Sequence, residues 1–396
     1  MRAVSRLPAS DKEVAFLLFL GYVSCCMFGV SLGVALPQVM VEFSINQTQA
    51  GWLYSASLWS TAVLLVPSGY LADRFGQKRL LLWGYLLAII GVTGLAFSQG
   101  YLGCLLALLT AGAGLGLVVP PYYAMAGEVL KRVRGLAVGF AASGYYLGGA
   151  VGPILVGFFV SQQQWRSAYC IIAAVMFVMM AVQFVRVRPP PTRAESHRHP
   201  AVRSSFTKML RVRNVFISSV SILLANIGLL AAAAWLPTFL LSVIGLDATS
   251  VGVALGFLML TGVVSSPVVG ALSDRISRRR VACISGIASA VISIPMLTTQ
   301  YSFWSSLGYS LMFGFLLLPA WNLLVAIVQE SADEEAVTSV TGITQAFGVV
   351  GSAAGPIVAS SLIAVFGINQ ALIYSITLPA FSYGILALTL VETREK

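Results

Sequence analysis

Two short charged stretches hold most of the residues whose side chains could do chemistry. The first is residues 69–79, which read GYLADRFGQKR, and the second is residues 270–280, which read GALSDRISRRR. Each places an acid, Asp73 or Asp274, directly before an arginine and near further cations, and the two acids lie 201 positions apart (274 − 73). These charges and glycines interrupt the long apolar segments on either side, so the sequence predicts a polar connection at each stretch.

The chain lacks the residue patterns of an enzyme. No nucleophile–base pair, metal-ligand cluster or Walker-type phosphate loop is present, and the two histidines, His197 and His199, share one basic segment. The five cysteines lie in apolar segments without zinc or disulfide spacing. We therefore expect no enzymatic activity, no cofactor and no bound metal.

Composition places the chain in a membrane. Of its 396 residues, 58% are hydrophobic and only 10% are charged, whereas a soluble protein needs about a quarter charged residues. A membrane barrel would show alternating segments of about ten residues, which are absent. The sequence therefore predicts an all-α, polytopic membrane protein.

Twelve apolar runs are long enough to cross a hydrocarbon core, which takes about 20 helical residues. The predicted spans are residues 14–40, 50–72, 80–98, 101–127, 136–160, 166–186, 213–243, 250–272, 281–299, 303–329, 339–365 and 371–391.

The distribution of basic residues predicts the orientation. With both termini in the cytoplasm, 23 of the 24 Lys and Arg residues lie on the inside, and Arg166 lies outside. The net charge of +10 thus reflects topology, and we expect no nucleic-acid partner. The first span is too long for a signal-peptide core and is expected to stay in the mature protein. The short loops favour the inner membrane of a bacterium.

The chain divides into two similar halves. Residues 187–212, rich in Pro, Arg and Ser, form a predicted cytoplasmic linker between residues 1–186 and 213–396. Gly152-Pro153 recurs as Gly355-Pro356, displaced by 203 positions (355 − 152), and Leu36-Pro37 recurs 200 positions later. Such agreement indicates an internal duplication.

The motif Gly-x-Leu-Ala-Asp-Arg-x-Gly-x-Lys after the second span, with its weaker repeat after the eighth, resembles the major facilitator superfamily over nearly the whole chain. The resemblance implies twelve transmembrane helices in two pseudo-symmetric six-helix bundles, a central cavity and transport by alternating access. It also implies that Asp73 meets the start of the eleventh helix and latches the two halves together.

The predicted gating residues flank the loops on the inner side. The loop after the fourth span is basic and its counterpart after the tenth is acidic, which suggests salt bridges across a gate, with a solvated loop as the alternative. For Arg74, Lys78 and Arg79 a purely topological role is the alternative. The predicted gating residues are Gly69, Asp73, Arg74, Gly76, Lys78, Arg79, Glu128, Arg134, Asp274, Arg275 and Glu330.

No charged residue or histidine lies in the middle of any span, although a charge kept there usually serves function. Substrate recognition must then use neutral polar and aromatic groups, and Glu128 is the nearest candidate for proton coupling. For each group a helix–helix contact is the alternative. The predicted substrate-binding residues are Ser31, Trp59, Tyr122, Tyr123, Tyr145, Tyr146, Asn226, Trp321, Asn322, Thr344 and Gln345, with Thr341 beside them.

These features predict a secondary active or facilitative transporter of a small organic solute, such as a carboxylate. Its partners would be that solute and the lipid bilayer, with a proton as the candidate coupling ion, and we expect a monomer. An exporter of amphipathic drugs or lipids is the first alternative, and a non-transporting membrane receptor on the same fold is the second.

Overall fold

The computed structural model describes residues 9–129, 134–187, 212–298, 302–332 and 337–392, and the elements within these ranges are helices. The predicted all-α fold class is confirmed. The predicted linker, 187–212, lies outside the described residues except for its end residues Val187 and Val212.

The helices follow the predicted spans closely. The first half contains α1 (Ala9–Glu42), α2 (Gln47–Phe75), α3 (Gln77–Ala96), α4 (Tyr101–Val129), α5 (Arg134–Ser161) and α6 (Trp165–Arg186). The second half contains α7 (Arg213–Ser242), α8 (Ala248–Arg275), α9 (Arg278–Thr298), α10 (Phe303–Leu317), α11 (Ala320–Glu330), α12 (Val337–Phe366), α13 (Ile368–Leu372), a π-helical turn (Ile373–Thr377) and α14 (Leu378–Ala387).

Within the described ranges, eleven helical segments are long and apolar enough to cross a membrane, and one of them combines α10 and α11 as Phe303–Glu330. The remaining predicted span, 50–72, lies in α2, a 29-residue helix that carries several Ser and Thr hydroxyls. Each predicted span therefore corresponds to one helix or one run of consecutive helices.

The predicted spans 50–72 and 80–98 leave residues 73–79 between them, and the structure reduces this connection to one residue. Helix α2 continues through Phe75, and α3 already begins at Gln77. Gly76 alone separates them, with a φ of +90° that a residue with a side chain rarely adopts. The charged motif thus consists of two helix ends joined at one glycine.

The chain forms two compact units. Unit 1 contains residues 1–192 and 247–256, and unit 2 contains residues 193–246 and 257–396. The first turns of α8 therefore belong to unit 1, and the rest of that helix belongs to unit 2.

Unit 1 depends on close helix packing and on one buried amide. A Cβ atom at Gly152 of α5 would lie 1.9 Å from the Met27 carbonyl oxygen of α1, so only glycine permits this approach. Gln183 of α6 is buried, and its Nε2 donates to the Leu17 carbonyl oxygen at 2.9 Å and to the Tyr85 hydroxyl at 3.3 Å. One side chain thereby connects α1, α3 and α6.

Unit 2 also depends on a glycine that lets two helices approach closely, and on a different buried amide. A Cβ atom at Gly355 of α12 would lie 2.5 Å from the Ile227 carbonyl oxygen of α7. Buried Asn214, at the start of α7, donates to the Ser331 hydroxyl and to the Val391 carbonyl oxygen, both at 2.9 Å. Its Oδ1 also accepts from the Val391 backbone N–H at 2.9 Å. The amide therefore joins three chain segments at one end of unit 2.

Candidate functional site

The acid and most of the basic side chains of the α2–α3 turn lie exposed on the surface of the protein. Asp73 and Arg79 are exposed, and the exposed Arg74 guanidinium lies 5.4 Å from the centroid of the Phe75 ring. Lys78 instead donates from Nζ to the Phe184 carbonyl oxygen at 2.7 Å. Lys78 therefore fixes α3 to α6.

Gly69 and Gly76 both have open space where a side chain would project, because no atom lies within 4 Å of a Cβ built at either position. Gly69 is therefore not required for close helix packing within unit 1, whereas Gly76 is required by its backbone conformation.

The repeated motif in unit 2 forms a charge cluster. Arg278 Nη2 lies 2.8 Å from Glu330 Oε1 and 3.1 Å from Asp274 Oδ1. Arg275 is exposed. Sequence analysis predicted roles for Asp274 and Glu330 but missed Arg278, although its position four residues after Asp274 is the spacing of a helical ion pair.

The acidic and basic loops of the predicted gate lie largely outside the described residues. Residues 130–133 and 333–336 belong to the undescribed ranges, and only the backbone of Arg134 is described. Glu128 Oε2 is buried without a hydrogen-bond partner among the described residues.

Five tyrosines from three helices of unit 1 form what we call the tyrosine cluster: Tyr22 of α1, Tyr122 and Tyr123 of α4, and Tyr145 and Tyr146 of α5. Tyr22 stacks on Tyr122 with centroids 4.1 Å apart and an interplanar angle of 18°. Tyr123 meets both rings edge-on, at 6.1 Å and 5.5 Å. Tyr145 and Tyr146 contact each other at 5.7 Å. Sequence analysis proposed all of them except Tyr22.

The other two candidates of unit 1 lie outside this cluster of rings. Ser31 is fully buried and donates to the Phe28 carbonyl oxygen at 2.9 Å. The Trp59 Nε1 is buried without a partner among the described residues. Ser31 therefore bonds within its own helix, while the Trp59 donor stays unused.

The candidates of unit 2 are mainly hydroxyl and amide groups between α7 and α12. Asn226 Oδ1 accepts from the Ser352 hydroxyl at 3.2 Å, and the Asn226 amide donates to its own helix. Thr344 is fully buried and shares a hydrogen bond of 3.0 Å with Ser219. The half-buried Gln345 lies one residue further along α12.

Three further candidates of unit 2 have different environments. The Trp321 ring packs over Gly348, where an added Cβ would lie 2.5 Å from a ring carbon. Asn322, the next residue, is exposed. Thr341 has a buried hydroxyl without a partner among the described residues. In the described structure Asn226 and Thr344 therefore connect helices, and Asn322 and Gln345 retain exposed surface.

The family model described as Major Facilitator Superfamily matches residues 18–356 and, in a second match, residues 245–396. The chain belongs to the Major Facilitator Superfamily. The resemblance based on the Asp73-Arg74 motif is thereby confirmed, and the protein is a multi-pass membrane protein of this family.

Relatives within the superfamily include named transporters. The cis,cis-muconate transport protein of Acinetobacter baylyi is 26% identical over 330 residues, which cover 79% of this chain and 78% of that protein. The 3-(3-hydroxy-phenyl)propionate transporter of Escherichia coli is 25% identical over 379 residues, covering 91% of this chain and 90% of that protein.

The fold is also similar to a solved superfamily structure. A bacterial homolog of the human lysosomal transporter Spinster, solved in an inward-facing and unoccupied conformation, superimposes with a TM-score of 0.80. The two share 14% identity, and the match covers 96% of this chain and 97% of that one. At this identity the comparison supports a shared fold.

Proposed function

We propose that this protein is a secondary transporter that moves a small organic acid across a membrane by alternating access of two bundles, residues 1–186 and 213–396. The family match over both halves carries the proposal. Two relatives named for transport of organic acids support the substrate class. Tyrosine hydroxyls and amides can bind a carboxylate without a charged partner.

The proposed location is the cytoplasmic membrane, with both termini in the cytoplasm. The support is the position of 23 of 24 basic residues on one side of the predicted topology. We further propose that the transporter works as a monomer and has no enzymatic activity of its own.

The proposed gate uses the two repeated motifs. Asp73 is exposed and available as a latch, whereas Asp274 and Glu330 both contact Arg278. Such partly exposed pairs contribute about 0.2–1 kcal/mol each, so a conformational change can break them at low cost.

Proton coupling through Glu128 is the accompanying proposal. Its buried Oε2 has no hydrogen-bond partner among the described residues, so a proton bound there would alter the polarity of the end of α4. Uniport and exchange are the competing modes.

Export of amphipathic compounds is the second candidate function, and one observation favours it. An open surface groove of about 560 Å³ in unit 2 lies between α8 and α10, lined by apolar side chains that include Phe257, Leu260 and Phe315. Its one hydroxyl, on Thr261, donates to the Leu258 carbonyl oxygen at 2.6 Å. Such a surface suits an apolar compound better than an anion.

Reconstitution in liposomes tests both functions. The purified protein would be assayed for uptake of cis,cis-muconate, 3-(3-hydroxyphenyl)propionate and an apolar cationic dye, with and without a pH gradient. We expect saturable uptake of at least one acid and none of the dye. Uptake of the dye alone would support the exporter, and uptake equal to that of empty liposomes for every compound would contradict both.

The coupling proposal needs its own variant. If a proton gradient drives accumulation, Glu128→Gln should abolish accumulation while leaving exchange of labelled for unlabelled acid. Gradient-driven accumulation at the wild-type level in this variant would exclude Glu128 as the coupling residue.

A further inference from the structure

Tyr22 lies at the centre of the tyrosine cluster. Its side chain is only 4% exposed, it stacks on Tyr122, and it meets Tyr123 edge-on. It also lies near Tyr145 on a third helix. Tyr22 therefore determines where the other rings can lie.

The cluster divides into buried and accessible members. Tyr22 and Tyr122 are buried, and Tyr123 and Tyr145 are half-buried. Aromatic rings held in edge-to-face contact present a fixed flat surface. The accessible rings can therefore contact a ligand, while the buried stacked pair supports them from behind.

Two buried tyrosine hydroxyls in this region are unpaired within the described part of the chain. The buried Tyr122 hydroxyl and the buried Tyr54 hydroxyl have no partner among the described residues, and Tyr54 lies near Tyr145. Buried hydroxyls are nearly always paired in native proteins. An unpaired hydroxyl can donate to an acceptor oxygen of a ligand.

The surrounding helices carry no charge that could compete for such a ligand. Residues 14–41 of α1, 101–127 of α4 and 135–161 of α5 contain no Asp, Glu, Lys, Arg or His. A carboxylate entering here would be bound by phenol hydroxyls, and its uncharged part would lie against the rings.

We infer that Tyr123 and Tyr145 contact the transported acid and that Tyr22 is the positioning residue that makes this site selective for acids with a planar, unsaturated face. The inference rests on the proposed transport of an organic acid. In this arrangement the rings of Tyr123 and Tyr145 contact the acid, and their hydroxyls donate to its carboxylate. Tyr22 stacks on Tyr122 and thereby supports Tyr123.

Paired probes test the selectivity. Transport into liposomes would be measured for 3-(3-hydroxyphenyl)propionate and for 3-cyclohexylpropionate, whose ring is saturated and puckered. Tyr22→Leu should raise the KM for the aromatic acid about tenfold and reduce its preference over the saturated acid, while the maximal rate is largely kept. Tyr22→Phe keeps the ring and should retain the wild-type preference.

A second variant tests the contribution of a tyrosine hydroxyl separately from that of its ring. Tyr145→Phe should raise the KM for both acids by a similar factor, because it removes a donor to the carboxylate and keeps the ring. Tyr383→Phe in unit 2 is the control, since Tyr383 is fully buried and its hydroxyl has no partner among the described residues. This control should leave both KM values unchanged.

The outcomes distinguish this inference from the function on which it rests. If the wild-type protein transports neither of these acids nor cis,cis-muconate, the proposed function fails and the inference fails with it. If the wild type transports the acids and folded Tyr22→Leu keeps the wild-type KM and preference, the inference alone is wrong. A fall in maximal rate at unchanged KM would show that Tyr22 is merely structural and would also overturn it.

Discussion

The α1–α5 interface of unit 1 and the α7–α12 interface of unit 2 are built on the same backbone contact. Gly152 approaches the Met27 carbonyl oxygen, and Gly355 approaches the Ile227 carbonyl oxygen. The partners are repeat equivalents, since 355 − 152 is 203 and 227 − 27 is 200. The duplication has therefore kept the helix crossing itself.

The side chains around the two crossings differ. Cys26, 200 positions before Asn226 (226 − 26), lies among tyrosines, whereas Asn226 accepts a hydrogen bond from Ser352. Tyr145 corresponds to Gly348, which lies 203 positions later, and there the Trp321 ring covers the helix. Around these crossings unit 1 therefore presents tyrosine rings, whereas unit 2 presents a tryptophan ring, hydroxyls and an amide. The contrast indicates that packing stayed fixed while the polar chemistry diverged.

The largest loss of stability is expected when the glycine contact common to the two interfaces is disrupted. Gly152→Ala and Gly355→Ala should each destabilise the protein by about 1–3 kcal/mol, because the added methyl group meets a backbone oxygen that cannot move aside. Thermal unfolding of purified protein in detergent measures this. Gly342→Ala, on α12 but with no atom within 4 Å of the new Cβ, should match the wild type. Equal losses in all three variants would contradict the packing argument.

The next prediction compares the buried amides that join helices in the two units, Gln183 in unit 1 and Asn214 in unit 2. Asn214→Ala removes three hydrogen bonds and should cost about 2 kcal/mol. Gln183→Ala removes two and leaves a cavity, so we expect a similar loss. Hydrogen exchange should show deprotection of the Val391 amide in the Asn214 variant only. Protection at Val391 that persists there would show that the clamp does not depend on Asn214.

A smaller effect tests the polar contact specific to unit 2. The coupling energy between Asn226 and Ser352, from a double-mutant cycle of alanine variants, should be about 0.6 kcal/mol, the average for such bonds in membranes. In unit 1 the equivalent positions are Cys26 and Gly149, the latter 203 positions before Ser352 (352 − 149). Cys26→Ala and Gly149→Ala should show no coupling energy. A coupling energy of zero for Asn226 and Ser352 would show that this hydrogen bond does not distinguish the stability of unit 2 from that of unit 1.

The smallest effect concerns helix caps that differ between the repeats. Asn46 caps α2 with a neutral amide, and Asp247, 201 positions later (247 − 46), precedes α8 and accepts from Ser250. The Ser250 hydroxyl and N–H lower the pKa of Asp247. The cap is therefore fully present above the unfolded pKa of about 3.9 and is lost as the pH falls through the lower folded value.

We expect Asp247→Ala to cost about 0.5 kcal/mol at neutral pH and nothing once the wild-type carboxylate is protonated. Unfolding measured from pH 7 down to pH 3 checks this, and Asn46→Ala should show a loss independent of pH. A pH-independent loss for Asp247→Ala would indicate that its charge contributes nothing to the cap.

The positions of the helices could be predicted because membrane crossing requires long apolar runs, and each predicted span corresponds to one helix or one run of consecutive helices. The extension of α2 through Phe75 could not, because the charges at Asp73 and Arg74 suggested that the helix had already ended. Sequence located Tyr122 and Tyr145 but not Tyr22, since an apolar helix such as α1 has no polar face from which its rotation could be inferred. For the same reason it could not show that Thr344 faces Ser219.

The clamp at Asn214 has a consequence for how the chain matures. Gln183 and Leu17, 166 positions apart, are both present before the second half is synthesised, whereas Asn214 must wait for Val391, 177 positions later. Because chains are made from the N-terminus, unit 1 can complete its polar contact early, and unit 2 can do so only when synthesis is nearly over. A chain that stopped after α14, at Ala387, would keep every helix and still lack this contact.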